Sequence, residues 1–196
     1  VRGIYWIKMP NYLKLNYFNH ASKLPGWYWT GSTKMKCMSE SISQSLNLAY
    51  AHHIQRLMII GNFALLTGMH PDAVDQWYLG IYIDAIQWVE LPNTRGMSQY
   101  ADGGVMATKP YVSSGQYINT MSNYCKSCLY SVKLKTGKGA CPFNSLYWNF
   151  IDRHQGLLKS NMRMQIPLAN WNKTNTQTKI EILEQAARYI DCIESL

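Results

Sequence analysis

The sequence has no apolar run that is long enough to cross a lipid bilayer. Its longest apolar stretch, residues 57–68, is interrupted by Gly61 and Asn62 and is shorter than the roughly 20 residues that a membrane-spanning helix needs. No secretory signal peptide is visible. We therefore expect a protein with no membrane association and a cytoplasmic location.

The sequence also lacks a disulfide framework. It contains five cysteines, an odd number, and two of them form the pair Cys125-x-x-Cys128. This usage fits a reducing compartment better than a secreted, disulfide-stapled domain.

Acidic residues are scarce. Asp and Glu number 11 against 19 Lys and Arg, which gives a net charge of +8. A basic surplus of this size favours a polyanionic partner such as nucleic acid. Lys126, Lys133, Lys135 and Lys138 cluster around the cysteine-rich segment. These lysines either lie on a solvated surface loop or form an edge of the protein that contacts phosphates.

Neither strand patterns nor internal repeats are visible, and a hydrophobic content of 47% excludes disorder. Apolar spacing predicts helices over residues 39–66, 71–90, 114–124, 144–158 and 176–195. Residues 91–113 are rich in Gly, Ser and Asn and are predicted to form a loop. Residues 160–170, around Pro167, are predicted to be extended. The sequence therefore predicts an all-α fold.

The cysteine set is the strongest chemical signal. Cys125 and Cys128 are followed by Cys141 after a Gly/Lys-rich loop, a spacing with which a short segment wraps a metal in thiolates. The fourth ligand would be Cys37. Four thiolates suit tetrahedral zinc or an iron–sulfur cluster. The spacing leaves both open, and the single late Cys-Pro favours the cluster.

The fifth cysteine, Cys192, lies near Ile190 and Ile193 in the last predicted helix. We interpret it as a buried thiol.

A histidine pair, His52-His53, lies within the first long predicted helix, and Arg56 follows one turn later. Adjacent helical residues point about 100° apart, so at most one of the two faces a given pocket. A metalloprotease is excluded because the one-turn His-x-x-x-His spacing is absent. The pair is either structural, in a cap or core, or part of a site.

Asp84, Trp88 and Glu90 fall on the second predicted helix, with Arg95 beyond it. Asp84 and Trp88 are one turn apart and are predicted to share a face. Because apolar residues flank Asp84 on both sides, a buried and paired carboxylate is plausible beside the ordinary solvated one.

Taken together, these stretches resemble the C-terminal part of the flavin domain in the iron–sulfur bacterial cryptochromes and photolyases, a family of prokaryotic (6-4) photolyase-type proteins. The matching segments are residues 2–6 (RGIYW), 29–31 (WTG), 51–57 (AHHIQRL), 61–65 (GNFAL), 88–97 (WVELPNTRGM), 101–104 (ADGG), 115–119 (GQYIN) and 140–144 (ACPFN). They span nearly the whole chain. The resemblance implies a fragment, residues 1–196, of one helical FAD-binding domain, without the N-terminal antenna domain.

The resemblance also implies residue roles. A 4Fe–4S cluster would be held by Cys37, Cys125, Cys128 and Cys141. FAD would be bound by Arg56, Asp84, Glu90, Asn93 and Met97, with Arg56 and Asp84 as a buried ion pair. The catalytic residues would be His53, facing the lesion, and His52 behind it. Electrons would reach the flavin through Trp77, Trp29, Tyr78 and Tyr117.

The implied activity is light-driven repair of (6-4) pyrimidine photoproducts in UV-damaged duplex or single-stranded DNA by a monomeric carbon–carbon lyase. Electrons would come from reduced FAD, and an antenna chromophore is expected only in the N-terminal domain. One alternative is a cryptochrome-like blue-light photoreceptor with the same FAD and cluster. Another is an iron–sulfur nucleic-acid-binding module without photochemistry. The histidines favour repair, because (6-4) repair needs a proton donor.

Overall fold

Helices form the regular structure of the protein. The computed structural model describes residues 1–196; 63% of them are helical and none belongs to a strand, although two isolated β-bridges occur. The all-α prediction is therefore confirmed. The chain divides into two units, the first made of Val1–Gly31 and Glu40–Val112, the second of Ser32–Ser39 and Ser113–Leu196.

The first unit contains short helices joined by tight turns. They are α1 (Arg2–Lys8), most of α2 (Lys36–Leu48), α3 (His53–Gln55), α4 (Asn62–Thr67), α5 (Pro71–Ile81) and α6 (Gln87–Leu91), with 3₁₀ turns at Asn11–Lys14 and Gly26–Trp29. Two segments are π-helical, and we call them π1 (Arg56–Gly61) and π2 (Pro92–Ser98). Tyr28, Ile60, Phe63 and Leu65 are fully buried in the core of this unit.

The helix predicted over residues 39–66 is two helical stretches instead of one. The first, α2, begins at Lys36 and ends at Leu48. Ala49 then adopts a φ of 50°, a left-handed conformation that non-glycine residues rarely take. The backbone N–H of Ile83 donates to the Ala49 carbonyl at 3.0 Å, so a distant segment holds the break.

The histidine pair lies at the start of the second stretch. His52 is the N-cap of α3, and its Nδ1 accepts the Ile54 N–H at 3.2 Å. The Gln55 side chain accepts the His52 N–H at 2.9 Å, which completes a capping box. The prediction that both histidines lie within a helix is therefore wrong.

The second predicted helix is also interrupted. It begins at Pro71 as predicted but ends at Ile81, and α6 follows after a short connection. Pro92 follows α6 directly as the first residue of π2. It has no N–H to donate to the preceding turn, and the helix changes from α to π at this residue. Asp84 lies in the connection, so the prediction that it shares a helix face with Trp88 is wrong.

The second unit packs three helices around a central one. Helix α8 (Pro142–Arg153) contacts α7 (Gly115–Met121), α10 (Gln165–Lys173) and α11 (Thr176–Asp191). The remaining elements are α9 (Gln155–Leu158) and 3₁₀ turns at Tyr124–Ser127, Met162–Met164 and Ile193–Ser195. Phe143, Leu146, Phe150 and Ile182 are buried between these helices.

Two predicted irregular segments are partly helical. Helix α10 occupies the stretch predicted to be extended, with Pro167 in its first turn, where proline is tolerated. The predicted loop over residues 91–113 is irregular only after Ser98, where π2 ends. No helix combines the length and apolar character that a membrane span requires.

Candidate active site

A cavity of about 240 Å³, open to solvent, gathers six of the predicted site residues in the first unit. They are His53, Arg56, Tyr78, Asp84, Glu90 and Asn93. Both π-helical segments contribute to the lining. Leu57 belongs to π1, and Thr94 and Ser98 belong to π2. Such π-helical turns occur frequently at functional sites.

The two π-helical segments approach each other closely at Gly61. A Cβ at this position would clash with the Ser98 hydroxyl of π2, and it would lie 2.9 Å from the Arg56 carbonyl oxygen. The side chain of Gln99 donates to the Gly61 carbonyl at 3.1 Å. Glycine is needed here because any side chain would push π1 away from its neighbours.

The guanidinium of Arg56 is held on three sides. Its Nε donates to the Ala51 carbonyl at 2.8 Å, and its Nη1 and Nη2 donate to the two Asp84 carboxylate oxygens at 2.9 and 3.1 Å. It also lies over the rings of Tyr82 and Tyr50, at 3.8 and 5.2 Å from their centroids. Sequence reasoning missed both tyrosines, because among 14 tyrosines no spacing marks these two.

The Arg56–Asp84 pair is less buried than the sequence predicts. The Arg56 side chain is 12% exposed, but the Asp84 side chain is 52% exposed. The prediction that Asp84 is buried is therefore wrong. An ion pair with one half-exposed partner contributes little to stability, because water competes for the carboxylate.

The buried carboxyl group of the cavity is Glu90. Burial is the main cause that raises its pKa, and this effect is opposed by the hydrogen bond from the Thr94 hydroxyl and by the positive charge of Arg56. Asn93, one turn from Val89, donates its amide N–H to the Val89 carbonyl at 2.8 Å. The Asn93 side-chain oxygen therefore remains available as an acceptor.

The two histidines have different environments. His53 lines the cavity and is exposed. Its pKa is lowered, first by partial burial and then by the charges of Arg56 and His52. His52 does not line the cavity, because its imidazole caps α3.

Buried aromatic rings connect to the cavity wall through Tyr78. The Trp77 ring lies 5.5 Å from the rings of Tyr28 and Tyr78 and 5.8 Å from that of Tyr82, measured between centroids. The Tyr78 hydroxyl donates to the Arg56 carbonyl at 2.5 Å. Trp77 itself does not line this cavity; with Trp29, which is 55% exposed, it lines a second one.

Two predicted residues lie apart from the cavity lining. Met97 is half-buried in π2 and does not line the cavity. Tyr117 is half-buried in α7, in the second unit. Their predicted roles in flavin binding and electron transfer stay predictions.

The four predicted metal-ligating cysteines lie in the second unit and line one small cavity of about 10 Å³. All are free thiols; Cys37 and Cys141 are buried, and Cys125 and Cys128 are half-buried. Burial raises the pKa of Cys37 and, to about 12, that of Cys141. No group of three or more His, Cys, Asp or Glu side chains is arranged to hold a single metal ion.

Backbone N–H groups and a glycine shape the surroundings of Cys141. The Asn144 N–H donates to the Cys141 carbonyl at 3.0 Å, and the backbone N–H groups of Phe143 and Asn144 oppose the rise in the pKa of the Cys141 thiol. A Cβ at Gly115 would lie 2.7 Å from the Cys141 sulfur. The Asn144 side chain accepts the Gly115 N–H at 3.1 Å, which ties the two segments together.

The fifth cysteine departs from its prediction. Cys192 is exposed, and its thiol donates to the Arg188 carbonyl at 2.7 Å. The helix ends at Asp191, so the predicted burial between neighbouring isoleucines does not occur.

Comparison with known proteins identifies two relatives, although no family model matches the sequence. A (6-4) photolyase from Agrobacterium fabrum is 52% identical over 190 residues, which is 97% of this chain and 38% of that protein. An uncharacterized protein from Acanthamoeba polyphaga mimivirus is 32% identical over 134 residues, which is 68% of this chain and 98% of that protein. The chain thus spans well under half the length of the photolyase that it matches.

Proposed function

Since the chain belongs to the photolyase family, we propose that it forms the flavin-binding and catalytic part of a light-driven (6-4) photolyase acting on UV-damaged DNA. The observation that carries this proposal is the convergence of His53, Arg56, Asp84, Glu90 and Asn93 on one cavity. These residues come from three separate segments of the chain. A cavity with a few convergent polar groups is the expected form of a cofactor site.

The chemistry of the cavity fits FAD. Arg56 offers a positive charge, Asn93 an amide oxygen, and Tyr78 an aromatic ring in the wall. The carboxyl group of Glu90 lines the same cavity, and burial raises its pKa. When bound, reduced FAD supplies on illumination the electron that opens the lesion.

The proton donor is His53 in this proposal. Its imidazole is exposed at the cavity, where a flipped base could reach it, and damaged bases cost little to unstack. The lowered pKa of His53 makes its protonated form a stronger acid, which suits a group that must release a proton. His52 caps the helix α3, in which His53 is the first residue.

Illumination of (6-4)-containing DNA with the protein, followed by product analysis, tests the proposed function. Restored pyrimidines in the light and unchanged lesions in the dark would support it. If flavin is bound and photoreduced but the lesions persist, the repair assignment fails and the photoreceptor alternative takes its place.

The four thiols fit a 4Fe–4S cluster by their donor chemistry. They are reduced and line one cavity, and backbone N–H groups lower the pKa of Cys37 and Cys141 against the effect of burial; such groups tune iron–sulfur sites. Since burial raises the pKa of Cys37 and Cys141, loading should release protons and weaken at low pH. When bound, the cluster supplies a one-electron centre.

Replacing Cys37 by Ser is expected to abolish iron binding as completely as replacing Cys128, because each removes one of four ligands. Iron content and visible absorption of anaerobically purified protein measure this. Cys192→Ser is the matched control and should retain full iron, since Cys192 is exposed and does not line the thiol cavity. Stoichiometric zinc in the native protein, with no iron, would contradict the cluster assignment.

A further inference from the structure

The basic charge of the protein is concentrated in one stretch. Residues 103–151 contain five lysines and no Asp or Glu, so they carry +5 of the net charge of +8. The remaining residues carry 14 basic and 11 acidic side chains, a surplus of only +3. A long segment without carboxylates cannot neutralise its lysines locally.

Three of the five lysines lie on one closed loop of the second unit. We call residues 131–140 the lysine loop; it carries Lys133, Lys135 and Lys138, all exposed. Lys126, also exposed, lies in the 3₁₀ turn between Cys125 and Cys128. None of these four lysines takes part in an ion pair, so their charges are not compensated within the protein.

The ends of the lysine loop are closed by backbone hydrogen bonds. Ser131 donates its N–H to the Gly139 carbonyl at 2.7 Å, and its carbonyl accepts the Cys141 N–H at 3.1 Å. Gly137 and Gly139 take φ angles of 90° and 77°, which only glycine adopts without strain. The loop is therefore a defined turn.

Two buried polar side chains fix the middle of the loop. The Asn144 amide donates to the carbonyls of Val132 and Leu134, both at 2.8 Å. The Gln185 side chain of α11 accepts the Gly137 N–H at 3.0 Å. Asn144 is 5% and Gln185 6% exposed. A backbone held in this way presents its lysines at fixed spacing, which lowers the entropy lost on binding.

The cations beside the loop add to its field. Lys135 lies 5.6 Å from the centroid of the Trp148 ring, which steadies its ammonium. Arg188 donates to the same Gln185 oxygen at 2.9 Å, close to the Gly137 end of the loop. Of the acidic residues nearest in the sequence, Asp152 is engaged by the Trp171 N–H at 2.7 Å.

We propose that the lysine loop, together with Lys126, is a contact surface for the phosphate backbone of DNA, separate from the lesion-binding cavity. Rigid, uncompensated lysines suit repeated phosphates, which carry one charge every few ångströms. Ammonium groups act as point charges, so the affinity of the lysine loop for DNA should depend neither on the base sequence nor on damage to the DNA. The choice of DNA as the polyanion rests on the proposed function, but the contact itself requires neither flavin nor light.

The test is the salt dependence of binding to an undamaged, fluorescently labelled DNA duplex in the dark. The triple variant Lys133→Gln/Lys135→Gln/Lys138→Gln should bind about 10- to 100-fold more weakly at 0.1 M salt. Its plot of log K against log salt should be shallower by about one unit for each lost phosphate contact. The double variant Lys133→Gln/Lys138→Gln, which keeps the Trp148 contact, should show about two thirds of this effect.

The matched control removes the same charge elsewhere in the second unit. Lys159, Arg163 and Lys173 are exposed, and their triple Gln variant should keep the wild-type slope. An equal loss in both triple variants would overturn the proposal, because net charge alone would then explain binding. The proposal would also be overturned if both lysine-loop variants kept the wild-type salt slope. It would be overturned as well if the triple lysine-loop variant still bound DNA normally but no longer bound vesicles of anionic phosphatidylserine.

The binding test uses an undamaged duplex in the dark. A negative result in the binding test therefore leaves the repair test unaffected. Conversely, a protein that fails to repair lesions can still show the predicted salt slope.

Discussion

Replacing Arg95 by Met is expected to lower the free energy of unfolding by about 3–5 kcal/mol, the range seen when one partner of a buried ion pair is removed. The side chains of Arg95 and Asp75 are each 2% exposed, and the Arg95 Nε donates to the Asp75 carboxylate at 2.7 Å. The other Asp75 oxygen is buried without a hydrogen-bond partner. Without Arg95 the carboxylate would be a buried, uncompensated charge. Urea unfolding measures the loss.

The remaining contacts of Arg95 add to the expected cost. Its Nη1 donates to the carbonyls of Leu13 and Leu15 at 2.7 and 3.0 Å, and both would lose this donor. Its Nη2 pairs with Asp72, whose side chain is 60% exposed and can turn to water at little cost. Arg95 thus ties π2 to α5, to the first 3₁₀ turn and to the residue that follows this turn.

Asp84→Ala provides the matched control, because it breaks an ion pair of similar geometry but different burial. With Asp84 52% exposed, the loss should be about 1 kcal/mol or less. Equal losses for the Arg95 and Asp84 variants would contradict the argument that burial separates the two pairs.

The pH dependence gives a second check on Arg95. Burial raises the pKa of Asp75 from 3.8 to about 7, with Arg95 opposing the rise. A raised native pKa means that the folded state holds the proton more tightly, so this contribution to stability is present below about pH 4 and is lost as the pH rises towards 7. Without Arg95 the native pKa rises further. Both native states hold the Asp75 proton well below pH 7, so the deficit of Arg95→Met should stay nearly constant up to about pH 6 and grow as the pH rises through 7.

The double variant Arg95→Met/Asp75→Leu should recover much of the loss, since it removes the buried charge altogether. A deficit of Arg95→Met that does not change with pH, and that the second substitution does not relieve, would show that Asp75 is not charged beside Arg95.

The helical class follows from the sequence because apolar spacing is a local property, and the helix starts at Pro71 and Thr176 agree with it. The positions at which these helices break cannot be predicted from local apolar spacing, because contacts with distant segments hold them. Ala49 leaves the helix where Ile83 binds its carbonyl. Pro167 lies in the first turn of α10, where proline is tolerated, and Pro92 lies inside a helical run that continues from α6 into π2.

In the candidate site, too, neighbours in the sequence could be predicted to lie together, whereas partners that are distant in the sequence could not. His53 and Arg56 are one turn apart and line the same cavity, and the resemblance to a known family supplies Asp84, Glu90 and Asn93. The Arg95–Asp75 pair joins positions 20 residues apart. Asp72 and Asp75 read from the sequence only as favourable charges at a helix start, so nothing in the pattern marks them as partners of Arg95.

Replacing His53 by Ala is expected to reduce light-driven repair about 10²- to 10⁴-fold, the loss typical of a general acid. Flavin binding, iron content and affinity for DNA should be unchanged, because His53 is exposed and forms none of the contacts that hold Arg56. Single-turnover repair of a (6-4)-containing duplex with chemically reduced flavin measures the step directly.

Two control variants separate proton donation from other effects. His52→Ala removes the cap of α3 and should cost about 1 kcal/mol of stability with a smaller effect on repair. Trp77→Phe removes a buried indole that does not line the cavity. It should slow photoreduction of oxidised flavin and leave repair by prereduced flavin nearly normal.

The pH profile ties the loss to the proton on His53. Burial, Arg56 and His52 lower the pKa of His53 below its usual 6.5, so its protonated fraction grows only as the pH falls through that lowered value. Repair by the wild type should therefore accelerate as the pH falls, and the rate should level off only below pH 6.5. The same acceleration should be absent in His53→Ala. Asp84→Asn leaves the charge of Arg56 uncompensated beside the imidazole, so the rate should level off at a still lower pH. Wild-type repair rates in His53→Ala at every pH would place the proton donor elsewhere in the cavity.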